Sequence, residues 1–478
     1  MQHKSKHTLK KPNVVATHKS PTKPLAETAA ATAKKKPLVE GILWPPFITG
    51  TATPQLVMQV QFEISQWWEP ARILFYQLSQ LRSVLAHAAE TTPFYKNRLE
   101  STLVKSDNDL NLTDFRQIPI LTRSEFQEAG DSINSTAIPA SHGPAHSIRT
   151  SGSTGQPLTL KGTQVTRTYN SALNLRSHLW HRRDFSQKSL SFRTLKPGEP
   201  STRFFAWGPA VDPAESVKVS MAQPASNLLE IMKVEDPAYI QLHPSVLREL
   251  LYISREQGYQ PANLKEVSTL GEILYPELRE RCARQWNVQV TDSYSCEEFG
   301  LLALQCPEYP HYHVQSENVL IEVLRPDNTP CKPGEVGRTV ISSLNNFATP
   351  MLRYENGDMA EVGEPCACGR GLPVLKRIIG RVRNMAILPN GERIMPNLST
   401  GPLLNDLPIR HFQLVQKTPE LIEARLVVSR PLTAAEEVAL ANYFNKGWQH
   451  EFNFSFVYPD EIERGANGKY EVFRCEVS

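Results

Sequence analysis

Nine consecutive residues, Arg149-Thr150-Ser151-Gly152-Ser153-Thr154-Gly155-Gln156-Pro157, hold two glycines, four hydroxyl side chains and a closing proline. Glycine takes positive φ without a Cβ clash, so backbone N–H groups can converge on one point. The hydroxyls of Thr150, Ser151, Ser153 and Thr154 add donors that rotate to suit. With Gly152 and Gly155 they can make a concave donor site for anionic oxygens, phosphate above all. No Lys-Ser/Thr pair follows the second glycine, which excludes a Walker A loop. The same composition also suits a mobile Ser/Gly linker, and the stretch by itself leaves both readings open.

Four clusters downstream could serve the same chemistry. Gly271-Glu272 follows the apolar run Val267-Ser268-Thr269-Leu270 directly. Asp292-Ser293-Tyr294-Ser295-Cys296-Glu297-Glu298-Phe299-Gly300 follows a second such run, Val288 to Thr291. Ligands in open α/β sheets sit at the carboxyl ends of the strands. An aromatic ring there can stack on a base, and a carboxylate can hold Mg²⁺ through its oxygens. An ordinary acidic loop has the same composition. In Leu352-Arg353-Tyr354-Glu355-Asn356-Gly357-Asp358 the final acid suits a hydrogen bond to a ribose diol, and the turn also suits a plain Asn-Gly hairpin. Gly465-Ala466-Asn467-Gly468-Lys469-Tyr470 carries one cation on a flexible turn, where a solvated surface lysine is the bland alternative.

A separate set has metal-ligand character. Cys306 and His313 are spaced Cys-x6-His, and Cys366 and Cys368 are spaced Cys-x-Cys. Four nitrogen and sulfur ligands in two close pairs suit a closed tetrahedral Zn²⁺ site that would cross-link two loops. His311 competes with His313 as a ligand, and buried inert cysteines are the alternative.

These groups need rigid elements to hold them. From about Pro70, the residues Ile73, Leu74, Tyr76, Leu78, Leu81, Val84 and Leu85 recur at helical spacing until Thr92-Pro93-Phe94-Tyr95 breaks the pattern. Thr122 and Glu125 have capping-box spacing, so a helix starts there. Leu158-Thr159-Leu160 alternates like a strand. In the middle third, Val267 to Leu270, Glu277 to Trp286 and Val288 to Thr291 read as strand, helix and parallel strand. The last hundred residues form a small α+β unit. It has strands over His411 to Val415, Leu421 to Val428 and Phe452 to Tyr458, and a helix from the capping box Thr433-Ala434-Ala435-Glu436 to about Trp448. Glycine and proline cluster near Gly380-Arg381, which marks a boundary. The expected organisation is a basic, disordered tail over 1–40, a large domain over 41–380 and a small domain over 381–478. The tail lacks the apolar centre of a secretory signal, although its few acids also suit an organellar transit peptide.

Composition bounds the function. The chain has 478 residues with 40% hydrophobic and 21% charged side chains, enough for an ordinary core. A net charge of +3 is too balanced for a nucleic-acid-binding surface. No apolar run reaches the roughly 18 residues that span a bilayer. The odd count of 7 cysteines argues against a secreted disulfide scaffold and for a reducing, cytoplasmic setting.

In this order and at these separations, the clusters resemble the adenylate-forming superfamily, and within it the phenylacetate–CoA ligase family with its coenzyme F390 synthetase-like relatives. The resemblance runs from about Leu78 to Cys475, and Thr92-Pro93-Phe94-Tyr95 is similar to that family's N-terminal segment. It implies an α/β fold, with a large multi-sheet N-terminal domain and a small α+β lid. It implies that Thr150 to Gly155 hold the ATP phosphates, that Gly271, Glu272 and Tyr294 line the adenine pocket, and that Glu298 positions magnesium. Asp358 then binds ribose, Arg381 is the arginine ending the large domain, and Lys469 is the catalytic lysine of the lid. His313 stands at the spacing the family shows for a zinc ligand. The implied reaction joins a small, aryl-type carboxylic acid to coenzyme A through an acyl-adenylate. A standalone adenylating protein that loads a pantetheinylated carrier, and a degenerate nucleotide binder, are the alternatives; a homodimer is left open. Trp207, Gly208, His243 and the Ser268 to Leu270 strand are expected around the acid.

Several residues depart from the family pattern. Gln156 stands where many members have Lys, Leu270 where a small residue is frequent, and Ser295 and Glu297 where Gly and Thr or Ser are usual. Glu355-Asn356 replaces an Arg-Thr pair, and Arg383-Asn384 replaces an acidic pair at the hinge.

Overall fold

The computed structural model describes residues 52–99, 110–150, 157–195, 199–204, 214–398, 407–464 and 470–477. The tail, the loop from Ser151 to Gln156, Trp207, Gly208 and Lys469 therefore lie outside the described residues.

Two helices open the described chain: α1 (Ala52–Ser65) and α2 (Pro70–Thr91). Proline at the first position of α2 starts it where the missing N–H costs nothing. Its buried face is Ile73, Gln77, Leu81, Val84, Leu85 and Ala88, the helical stripe the spacing predicts. Helix α3 (Arg123–Ala129) begins at a complete capping box. The Thr122 hydroxyl accepts from Glu125 N, and Glu125 accepts from Thr122 N at 2.8 Å.

A hairpin follows, with β1 (His146–Arg149) antiparallel to β2 (Thr159–Gly162), and then helix α4 (Gln164–Trp180). The parallel heart of the molecule comes next. It comprises β3 (Ser189–Arg193), β4 (Thr202–Phe204), β5 (Ser216–Ser220), β6 (Tyr239–Leu242), β7 (Glu266–Leu270) and β8 (Gln289–Cys296). Helices α5 (Ala225–Glu235), α6 (Pro244–Glu256) and α7 (Pro276–Trp286) connect them. Strands β3, β5, β6, β7 and β8 pair in parallel, and β4 is an antiparallel edge. Connections through helices are what parallel pairing requires. These strands and helices share one core, with Leu190, Val217, Ile240, Val267 and Val290 from the sheet against Leu228, Leu250 and Leu278 from the helices.

The chain then turns antiparallel through β9 (Gly300–Gln305), β10 (Tyr312–Val314), β11 (Val319–Leu324), β12 (Val336–Ser343), β13 (Tyr354–Val362) and β14 (Val374–Arg381). All join one 12-stranded sheet, in the order β11-β12-β13-β14-β10-β9-β8-β7-β6-β3-β5-β4. Helix α2 closes one face of the antiparallel half, with Leu81, Leu85, Tyr95, Phe115 and Tyr354 in a common core.

The large sheet ends at Arg381. A two-stranded ribbon follows, β15 (Ala386–Ile387) with β16 (Arg393–Ile394). A four-stranded sheet then forms from β17 (Ile409–Thr418), β18 (Leu421–Val428), β19 (Asn453–Val457) and β20 (Phe473–Cys475), in the order β19-β18-β17-β20. Helix α8 (Ala434–Trp448) starts at the capping box of Thr433 and Glu436 and packs Leu440, Phe444 and Trp448 against this sheet. Among the described residues no helix is long and apolar enough to cross a membrane.

One polar contact fixes α1 to the rest. The Arg176 side chain of α4 is fully buried. It donates to Glu317 at 2.8 and 3.1 Å, to Gln315 at 2.8 Å and to the Phe62 carbonyl at 2.6 Å. Removing one member of a buried pair strands the other charge, which costs about 3 kcal/mol or more. Arg176→Ala is expected to lower the melting temperature by roughly 5 °C or more. The double variant Arg176→Met/Glu317→Leu should recover most of that loss. Equal melting of Arg176→Ala and wild type in calorimetry would show that the pair does not hold α1.

Candidate active site

The register of the parallel strands decides what meets at their carboxyl ends. Leu242 of β6 stands beside Thr269 of β7, and Leu270 of β7 beside Ser293 of β8. His243, Gly271 and Tyr294 therefore fall on one rim. Gly271 has φ +81°, so the chain turns off β7 in a conformation that side-chain-bearing residues rarely adopt.

From this rim Tyr294 reaches the end of the antiparallel half. Its hydroxyl donates to Asp358 Oδ2 at 2.8 Å and accepts from Asn356 Nδ2 at 2.8 Å. Asn356 Nδ2 also donates to Asp358 Oδ2 at 2.7 Å, and Thr339 Oγ1 donates to Asn356 Oδ1 at 2.5 Å. Arg381 stands directly opposite Asp358 across β13 and β14, with Nε 3.2 Å from Oδ1. Three residues singled out from sequence, Tyr294, Asp358 and Arg381, thus form one hydrogen-bonded and ionic unit. Asn356 and Thr339 belong to it without having been singled out as site residues.

Glu298 lies within electrostatic reach of the unit, and Arg123 Nη1 of α3 approaches its Oε1 at 3.9 Å. Burial pulls Arg381 towards its neutral form, but Asp358 and Glu298 more than offset this and hold it above its ordinary pKa. Burial, and then the Asp358 carboxylate, push the Tyr294 phenol far above its usual range, so it is a fixed donor. Cys296 is raised in the same way, by burial and then by Glu298. Glu297 acts in a different place: its charge bears on Arg193 at the end of β3, whose guanidinium also reaches Gln241. Behind the rim, burial pushes the Asp292 carboxyl up to about 6, where it accepts from Thr269 at 2.5 Å and Tyr312 at 2.6 Å.

Thr150 closes the base of the hairpin that carries the glycine-rich loop. Its amide donates to the Leu158 carbonyl at 2.9 Å, and its hydroxyl accepts from Leu158 N at 2.8 Å. Glu272 has a different environment from the others. Its carboxylate accepts from Ser245 N at 2.9 Å, Ser245 Oγ at 3.0 Å and Tyr470 N at 2.7 Å, with His243 Nδ1 3.4 Å away. Those partners engage both oxygens, Ser245 N at Oε2 and Ser245 Oγ and Tyr470 N at Oε1.

The cysteine set also assembles. Cys306 and His313 come from the β9–β10 hairpin, and Cys366 and Cys368 from the β13–β14 connection. Their ligand atoms lie within 4.8 Å of one another, with Cys306 Sγ 3.9 Å from Cys366 Sγ and Cys368 Sγ 3.4 Å from His313 Nε2. Ligands on a tetrahedral zinc with bonds of about 2.3 Å stand about 3.8 Å apart, so the donor set fits that ion. Burial lowers the His313 imidazole to about 4, leaving it neutral. His311 sits outside the four, with Nε2 2.9 Å from Cys366 Sγ. The loop is clamped to the turn between α1 and α2, because Gly371 N donates to the Gln66 carbonyl at 2.9 Å and a Cβ on Gly371 would strike the Trp68 carbonyl.

No protein-family model matches the chain. It is 25% identical over 377 residues to the phenylacetate-coenzyme A ligase of Thermus thermophilus, covering 74% of this chain and 81% of that protein. It is 23% identical over 331 residues to the phenylacetate-coenzyme A ligase of Escherichia coli, covering 67% of this chain and 74% of that protein. The crystal structure of 2-hydroxyisobutyryl-CoA ligase in the postadenylation state, in complex with 2-HIB-AMP, superposes with a TM-score of 0.70. That match covers 87% of this chain and 91% of that one at 19% identity. The chain is thus similar to phenylacetate-coenzyme A ligases and has the fold of adenylate-forming CoA ligases.

A thiol held protonated is a poor nucleophile. Cys296 should therefore resist iodoacetamide in the native protein at pH 8 and react only on unfolding. Early alkylation of the half-buried Cys296, located by peptide mass spectrometry, would show that desolvation and Glu298 do not hold the thiol protonated.

Proposed function

We propose that this AMP-forming ligase activates a small carboxylic acid, aryl acids being the first to try, and passes the acyl group to coenzyme A. The observation that carries the reading is the Tyr294–Asn356–Asp358–Arg381 unit, poised at the carboxyl ends of the parallel strands. A carboxylate has about four acceptor positions, and Arg381, Tyr294 and Asn356 use three of them on Asp358. The remaining lone pair on Oδ1 accepts from a ribose hydroxyl. The Tyr294 ring and the backbone at Gly271 flank the adenine.

The first step forms a bond from the acid's carboxylate oxygen to the α-phosphorus, and the bond to the β-phosphate's bridging oxygen breaks. Acyl-adenylate and pyrophosphate result. Position and charge stabilisation supply most of such a rate. Donors from Thr150 to Gly155 hold the phosphates, and Glu298 would hold the magnesium that neutralises them. Lys469 approaches the developing charge from the C-terminal sheet. In the second step the thiol sulfur bonds to the acyl carbon and AMP leaves. His243 and Ser268 to Leu270 border the acid. Cys306, His313, Cys366 and Cys368 would hold a structural zinc, which supplies a cross-link between two loops and takes no part in the chemistry.

A panel of carboxylic acids screened for pyrophosphate release identifies the substrate, and coenzyme A set against a pantetheinylated carrier identifies the acceptor. Lys469→Ala should slow adenylation by orders of magnitude while a supplied acyl-adenylate is still converted to thioester. Normal adenylation by the variant, or equal loss of both steps, would remove Lys469 from the mechanism. Protein purified without chelator should contain one zinc per chain, and chelation should lower its melting temperature by mass action. Elemental analysis without zinc would contradict the cross-link.

A further inference from the structure

The C-terminal sheet is docked against the large sheet's side, and the docking contacts converge on two carboxylates there. Glu272, in the turn after β7, accepts from Tyr470 N at 2.7 Å while Ser245 holds both of its oxygens. Glu249, on α6, takes Arg464 Nη2 at 2.8 Å and has His411 Nε2 of β17 at 2.8 Å. Arg464 Nη1 also donates to Ser245 Oγ at 2.7 Å. Arg464 and Tyr470 therefore grip α6 and the β7 turn from either side of residues 465–469. Stacked cations reinforce the seam, with Arg248 over Phe412 and Arg410 over Tyr252. Arg383, which departs from the family pattern, pairs with Glu471.

We infer that Glu272 and Glu249 are positioning residues for the adenylation half-reaction, a latch that sets how long the C-terminal sheet stays docked; this rests on the ligase function proposed above. Glu272 is 8% exposed as a side chain. A buried carboxylate is costly unless donors meet its oxygens. Undocking would take the Tyr470 amide from Glu272, and both Arg464 and His411 from Glu249. The two acids thus favour the docked arrangement, and only differential contacts of this kind shift such an equilibrium. Glu272 thus acts on the reaction through Tyr470, the residue that follows Lys469.

Residue-resolved hydrogen exchange tests the latch without any substrate. In wild type the Tyr470 amide should be protected. In Glu272→Gln, which keeps the volume but loses the charge, it should exchange about tenfold faster, while β18 amides stay unchanged. Glu249→Gln should release the same amide. Phenylacetate with Mg-ATP, and separately phenylacetyl-AMP with coenzyme A, then serve as probes of the two half-reactions. Each variant should lose about tenfold in adenylation and nothing in thioester formation from the supplied adenylate. Unchanged Tyr470 exchange in both variants overturns the latch, and equal loss of both half-reactions overturns the positioning role. Released exchange in variants of a wild type that forms no AMP with any acid overturns the ligase reading and leaves the latch standing.

Discussion

The ion pair between Asp358 and Arg381 constrains the whole arrangement. A carboxylate this deeply placed is stable only when its oxygens are met by donors of fixed geometry. Its donors come from β8, β13 and β14, and in sheet order β9, β10 and β14 separate β8 from β13. Flat strands about 4.8 Å apart would put β8 and β13 about 19 Å from one another. Tyr294 and Asp358 nonetheless meet at 2.8 Å, so the sheet must coil strongly through its antiparallel half. The coil carries the rim of the parallel strands and the end of β14 to one place. That rim is where a nucleotide belongs in a sheet of this kind.

The same strand hands the chain over to its C-terminal part. Arg381 closes β14, and Arg383, in the three-residue turn Val382–Asn384 beyond it, already faces Glu471. The chain runs from the Asp358–Arg381 pair through Arg383 to Arg464 and Tyr470, which meet Glu249 and Glu272. Charge at this pair reaches the crossing between the two sheets, since Arg383 senses Arg381 and Asp358 as well as Glu471. The cysteine cluster lies at the other end of β14, where it anchors the connection from β13 and, through Gln66, the turn between α1 and α2.

Local features were legible in the sequence because they depend on neighbours a few residues away. Both capping boxes, at Thr122 and Thr433, are present, as are the helix from Pro70 and the strand–helix–strand unit around α7. Spacing marked Cys306, Cys366 and Cys368 but left His311 and His313 in competition, which the resemblance resolved in favour of His313, and the fold gathers those four. What stayed hidden depends on contacts across the sheet. Asn356 reads as a plain turn residue or a departure from a family pattern, yet it bridges Tyr294 and Asp358. Glu272 reads as a nucleotide-pocket residue beside its glycine, yet its partners lie 27 residues upstream and 198 residues downstream. Helix α1 escaped notice because its outward residues Val57, Val60 and Ile64 are apolar, which blurs the amphipathic pattern.

The central claim is that Asp358 and its donors form a ready-made adenylate site. Calorimetric titration with an unreactive mimic, phenylacetyl-sulfamoyladenosine, measures it directly, because no turnover is needed. Wild type should bind at a single site per chain, and Asp358→Asn, which keeps the shape but loses the charge paired with Arg381, should bind at least about tenfold more weakly. Equal affinity in the two proteins would contradict the account.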